Sequence, residues 1–170
     1  MISLLPLAEI AEADVDALLD SAFGSDRHGR TAYKIRAGTR FLPALSFAAT
    51  ESGQLVGAIQ CWPVALAADE GTVVPLVMVG PVAVRPDRQR DGIGRLLMTQ
   101  MLAAAELTDA TQALMLIGDP EYYGRLFGFT AERTALWRAP GPVEPGRLLA
   151  RGAAVPAGAG LLRPAIPAIA

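Results

Sequence analysis

The segment Val82-Ala83-Val84-Arg85-Pro86-Asp87-Arg88-Gln89-Arg90-Asp91-Gly92-Ile93-Gly94-Arg95-Leu96-Leu97 holds the residues best suited to chemistry. It reads as an apolar strand, a basic loop, Gly-x-Gly and then an amphipathic helix. The first turn of a helix leaves backbone N–H groups without partners, and the helix dipole puts positive potential there. Glycines at 92 and 94 remove the Cβ that would hold an anion off the backbone. Arg85, Arg88, Arg90 and Arg95 surround the two glycines and add charge. Such a seat takes a phosphate or a pyrophosphate.

Other residues offer less. Tyr122 and Tyr123 carry phenolic protons; as helical neighbours they point in different directions, so one of them reads as packing. Asp119 and Glu121 are carboxylates close by. Asp119 precedes Pro120 and reads first as a helix N-cap. Cys61 stands beside Trp62 in an apolar run and reads as a small buried hydrophobe rather than a nucleophile. The one histidine, His28, lies in a polar segment with no nucleophile motif to make a triad. One Cys and one His leave neither a Cys/His zinc site nor an intramolecular disulfide, and no metal is expected.

The elements that must position these residues belong to a chain of 170 residues, 52% hydrophobic and 19% charged, enough for one domain with a core. A net charge of -2 argues against nucleic acid as the main partner. Met1 to Leu7 has no basic stretch, and Glu9, Glu12 and Asp14 follow, unlike a secretory signal. The longest apolar run, Val73 to Val84, is about half a membrane span and is broken by Pro75, Gly80 and Pro81. A cytoplasmic protein without a membrane partner is expected.

Hydrophobic spacing predicts a strand at Ile2–Leu5 and a helix over Ala8–Phe23 ended by Gly24-Ser25. A short helix near Tyr33 is expected inside the basic stretch Arg27–Arg40. Strands at Leu45–Thr50 and Leu55–Trp62 flank Glu51-Ser52-Gly53 as a hairpin. Leu76–Val84 is apolar on both faces, so it belongs centrally in a sheet. It also contains Gly80-Pro81, and proline cannot donate to a ladder. A central strand that stops pairing midway would splay from its neighbour and open a slot. Gly94–Leu107 is the clearest helix, with Leu97, Met101 and Ala104 continuing a stripe from Ile93. A strand at Ala113–Ile117, a helix at Glu121–Phe127 stopped by Gly128, and a strand at Thr134–Arg138 follow. Short strands near Arg147–Ala154 and Gly160–Arg163 complete the Pro/Gly-rich tail.

Neither of the commonest phosphate loops fits. A Walker A loop needs Gly-Lys-Ser/Thr where this chain has Gly94-Arg95-Leu96. A dinucleotide fingerprint needs a third glycine where Leu97 stands, which disfavours an oxidoreductase. Gln89-x-x-Gly92-x-Gly94 after a Val-x-Val strand instead resembles the acetyl-CoA pyrophosphate loop of the GNAT N-acetyltransferase superfamily. Gly80 to Pro86 is similar to its strand-to-loop segment, and Leu55-Val56-Gly57-Ala58-Ile59 to its third strand. Tyr122 to Phe129 is similar to its Tyr…Gly-Phe segment. Ala22-Phe23-Gly24, Trp62-Pro63-Val64 and Asp119 to Tyr123 further resemble the YhbS-like predicted acetyltransferases. The resemblance covers roughly residues 1 to 140, and loosely the tail.

The resemblance implies a single α/β domain over 1–170 with a mixed, splayed sheet of about six or seven strands flanked by helices. It implies transfer of an acetyl group from acetyl-CoA, as co-substrate, to a primary amine of a small molecule or peptide in a ternary complex. Val82, Ala83 and Val84 would face the pantetheine arm, with the Val82 N–H polarising the thioester carbonyl. Arg88, Gln89, Arg90, Asp91, Gly92, Ile93, Gly94 and Arg95 would form the cofactor loop, and Arg85 or Arg88 could meet the 3′-phosphate. Tyr123, or else Tyr122, would protonate the leaving thiolate. The family pattern sets this tyrosine four residues before the Gly of Gly-Phe, where this chain has Gly124. Asp119, Glu121 or a water relay could take the amine proton. A non-catalytic acyl-CoA sensor or interaction module is the alternative, and the tail is a candidate homodimer surface.

Overall fold

The computed structural model describes residues 1–165. Its elements, in chain order, are β1 (Ile2–Pro6), α1 (Glu12–Phe23), α2 (Thr31–Ile35), β2 (Phe47–Glu51), β3 (Gln54–Ala68), β4 (Val73–Val84), α3 (Ile93–Glu106), β5 (Leu114–Ile117), α4 (Pro120–Phe127), β6 (Trp137–Arg138), β7 (Leu148–Arg151) and β8 (Gly160–Pro164). They form a mixed α/β fold. The strand order is β1-β2-β3-β4-β5-β7, with β8 on β3 and β6 on β8. The eight strands among the described residues match in number those read from hydrophobic spacing and exceed the six or seven that the resemblance implies; the two-residue β6 pairs with β8. The chain divides into two compact units.

The first unit comprises residues 1–28, 41–61 and 79–108. Strands β1, β2 and the first half of β3 run antiparallel. Ser52 (φ 51°) and Gly53 (φ 77°) both take positive φ in the two-residue turn between β2 and β3, the conformation whose twist suits a tight hairpin. Helix α1 begins at Glu12 rather than Ala8. The Leu7 N–H is tied to the Ser46 carbonyl at 3.0 Å and its side chain is buried, so a single 3-10 turn comes first. Glu12 and Asp14 in the first turn of α1 complement its dipole. Val15, Leu18 and Leu19 pack on Leu7, Ala48, Ala58 and Ala83.

Helix α3 lies against β3 because residue 57 is glycine. A Cβ there would sit 2.7 Å from Ile93 Cγ2 and 3.1 Å from Leu97 Cδ1. Its buried stripe is Ile93, Leu97, Met98, Met101 and Ala105. Ala105 takes the place expected for Ala104, as the 3.6-residue period carries the face round.

The second unit comprises residues 29–40, 62–78 and 109 onward. Its core gathers Ile35, Val64, Leu66, Leu76, Met78, Met115, Trp137 and Leu162. Strand β3 outruns the expected Trp62 end because Val64 to Ala68 find partners in β8, from Pro164 back to Gly160. Strand β5 pairs antiparallel with β7 from Leu114↔Arg151 to Ile117↔Leu148. Its parallel pairing with β4 is confined to Val77 and Met78, so the ladder stops before Gly80-Pro81, as the proline requires. Thr134 to Leu136 form a turn rather than strand. The Thr134 hydroxyl donates to the Leu148 carbonyl at 2.5 Å, which holds that turn closed.

Candidate active site

On the first unit, the Arg-rich loop passes from the end of β4 into α3. The Arg85 N–H donates to the Val56 carbonyl at 2.9 Å, so β4 is still held by β3 where the loop leaves it. Gly92 is the N-cap of α3 with φ 78°, and no side chain caps the helix. The first helical donor with a carbonyl partner of its own is the Leu96 N–H, 3.0 Å from the Gly92 carbonyl. The amides of Ile93, Gly94 and Arg95 precede it and face outward, as helix geometry dictates.

A Cβ at 94 would lie 3.7 Å from Val82 Cγ1 and 3.8 Å from Val84 Cγ2. The structure therefore brings together the end of β4 and the first turn of α3. These distances are ordinary contacts, so packing does not demand a glycine at 94. The missing Cβ leaves the backbone at 94 open to a close approach.

The four arginines divide into two kinds. Arg85 is paired with Asp87, Nη2 to Oδ2 at 2.7 Å, and reaches Gln54. Arg88 donates from Nη1 to Glu51 Oε1 and from Nε to Asp91 Oδ2, both at 2.5 Å. The hydrogen bond and charge of Arg88 hold the Glu51 carboxyl below its ordinary range. Arg85 does the same for Asp87. Arg90 and Arg95 are exposed and make no ion pair among the described residues. Gln89 is exposed beside them.

Cys61 is wholly buried, and burial pushes its thiol up to about 12. A thiol so reluctant to ionise is a poor nucleophile. Among the described residues no group of three or more His, Cys, Asp or Glu side chains gathers to hold a metal.

The second unit carries the tyrosines on α4. Asp119 Oδ1 accepts from the Glu121 N–H at 3.0 Å and caps the helix, as its place before Pro120 suggests. Gly128, φ 75°, ends it. Tyr122 is 38% exposed, whereas Tyr123 is half-buried. The Tyr123 ring meets Tyr122 edge-on at 4.9 Å and Phe129 at 6.5 Å. A Cβ at Gly118 would lie 2.6 Å from Tyr123 Cε2, so that glycine makes the ring's seat. Burial raises the Tyr123 phenol above its ordinary 10.0, with the Tyr122 neighbour adding to the rise. Its hydroxyl keeps its proton at neutral pH.

At 124 a Cβ would sit 3.2 Å from the Phe129 carbonyl oxygen. A side chain at 124 would thus need the Phe129 carbonyl to give by a few tenths of an ångström. The supports missed by sequence reading are Glu51, Gln54 and Gly118. Gly118 alone left a local signal, as a glycine five residues before Tyr123.

A strand leading into an uncapped helix turn beside exposed arginines offers unpaired amides and positive charge of the kind that suits an anion, set here in a mixed α/β sheet. The chain belongs to the GNAT acetyltransferase family: the acetyltransferase (GNAT) domain model matches residues 6–131. No curated protein matches it. Among solved structures it is similar to YhbS, a GNAT family N-acetyltransferase from Escherichia coli in complex with CoA. Identity is 26%, with 97% of this chain and 89% of that one covered and a TM-score of 0.67. A GNAT family acetyltransferase from Brucella melitensis, in complex with acetyl-CoA, is 29% identical. It covers 91% of this chain and 97% of its own, with a TM-score of 0.60. The family and the YhbS-like subgroup read from the sequence are both met. No helix among the described residues is long and apolar enough to cross a membrane.

Proposed function

We propose that the protein is a cytoplasmic, acetyl-CoA-dependent N-acetyltransferase, acting as one domain over residues 1–170 on a primary amine. The carrying observation is the uncapped first turn of α3 beside Val82 and Val84, in a chain of this family. The complexes of its structural relatives with CoA and acetyl-CoA support the choice of ligand.

In this reading the amides of Gly92 to Arg95 hold the pyrophosphate, with Gln89, Arg90 and Arg95 around it. Val82 to Val84 offer backbone groups to the pantetheine arm. The neutral amine attacks the thioester carbonyl carbon, forming the C–N bond. The Val82 N–H stabilises the oxygen that gains charge. The tetrahedral intermediate collapses, the C–S bond breaks, and the thiolate takes the Tyr123 proton; Tyr122 is the second choice. The amine proton leaves to Glu121 or through water, since Asp119 is engaged as a cap.

A thermal-shift titration tests the seat. Acetyl-CoA at a hundred times its Kd stabilises the native state by about 2.7 kcal/mol. Wild type should shift, Gly94→Ala should fold as wild type does, and Gly94→Glu should fold without shifting. No shift of wild type with acetyl-CoA, CoA or longer acyl-CoAs overturns the reading. A shift without free CoA release across an amine panel leaves the acyl-CoA sensor, the alternative that the displaced tyrosine spacing favours.

A further inference from the structure

Arg85 and Arg88 were the candidates for the 3′-phosphate of CoA, and both are turned toward carboxylates. Arg88 is the more committed. Its guanidinium spans two elements, holding Glu51 at the end of β2 and Asp91 immediately before Gly92. A second contact reaches Glu51 Oε2 at 3.4 Å. Arginine suits this role because its planar fork donates in several directions at once. Asp91 is the last residue before the left-handed N-cap, so fixing its side chain restrains the turn that presents the α3 amides. Arg90 and Arg95 flank that turn, exposed and without an ion pair among the described residues.

We infer that Arg88 is a positioning residue of the phosphate seat. It braces Asp91 to Glu51, and Arg90 and Arg95 supply the charge that meets the ligand. The inference rests on the acetyl-CoA reading and adds Glu51 to the residues that shape affinity. Exposed ion pairs add little to global stability. Their loss at a loop instead adds the cost of ordering that loop when a ligand binds.

Calorimetric titrations of CoA and 3′-dephospho-CoA against wild type, Glu51→Gln and Arg88→Gln decide it, with melting temperatures measured without ligand. The expected result is a loss of affinity of about fivefold to tenfold in both variants. The loss should be equal for the two ligands, with melting temperatures at neutral pH lowered by no more than the small share an exposed ion pair contributes. A direct contact predicts otherwise. Arg88→Gln would then lose affinity for CoA but not for 3′-dephospho-CoA, and Glu51→Gln, which frees Arg88, would bind as tightly as wild type or tighter. Either result overturns the brace while leaving the acetyl-CoA reading intact. Failure of wild type to bind either ligand overturns both.

Discussion

The basic loop before α3 and the tyrosine pair on α4 carry the two halves of the proposed chemistry, and they are built in opposite ways. The loop is held from outside. Its order comes from exposed or half-exposed ion pairs, Arg88 with Glu51 and Asp91, and Arg85 with Asp87. Its working groups are backbone amides. The tyrosine is held from inside, by ring contacts with Tyr122 and Phe129 and by the room that Gly118 leaves. Its working group is one hydroxyl at the end of a half-buried ring. In the proposed chemistry, charge restrains a loop that accepts a large anion, and packing fixes a donor whose position matters to a fraction of an ångström. A substitution in the loop should therefore change binding, and one around Tyr123 should change turnover or stability.

The largest effect expected is at the hydroxyl itself. Removing a general acid costs about 10²- to 10⁴-fold in rate. Tyr123→Phe keeps the ring and its contacts, so kcat should fall by that order while the Kd for acetyl-CoA stays put. Steady-state kinetics with a reactive amine, beside direct binding, make the comparison. Unchanged kcat in Tyr123→Phe with a fall in Tyr122→Phe would move the donor to the exposed ring.

Next in size is the seat of that ring. In Gly118→Ala the new methyl stands 2.6 Å from Tyr123 Cε2, so the ring must shift. Overpacking of this kind costs about 1–3 kcal/mol. Urea denaturation should show it as a lower midpoint at constant slope. Unaltered stability together with full turnover would mean the ring has slack, and the contrast with the loop would fail.

How much of this could be read beforehand follows from the same contrast. The strand, loop and helix of the proposed phosphate seat were legible because the parts are contiguous: strand, glycines, arginines and helix lie within sixteen residues, Val82 to Leu97. The partners of its arginines were not. Glu51 and Arg88 are 37 residues apart, and nothing local marks Glu51 as a partner. Strand β3 was cut short for a similar reason. Its second half depends on β8, about a hundred residues further on, and a long-range pairing leaves no local period. Asp119 was read correctly as a cap because capping is a matter of neighbours. Thr134 was misread as strand because β-propensity could not foresee its hydroxyl bonding the Leu148 carbonyl.

The smallest effect expected separates the two regions by pH. Tyr123 has its folded-state pKa raised above 10.0. Its contribution to stability is fully present below pH 10 and is lost as pH rises through the folded value, because the unfolded chain gives up that proton first. Glu51 is shifted the other way, lowered from 4.5 by Arg88. Its contribution is present above that value and is lost as pH falls through the folded one. The packed region should therefore weaken on the alkaline side and the braced loop on the acid side. Denaturation midpoints across pH should show Tyr123→Phe flattening only the alkaline limb and Glu51→Gln only the acid limb. Cys61 is raised as well, to about 12, so Cys61→Ala belongs in the set to remove its share of the alkaline limb. An alkaline limb unchanged by Tyr123→Phe would mean that the phenol ionises alike in the folded and unfolded chains. Its ring would then be too wet for packing to set its chemistry.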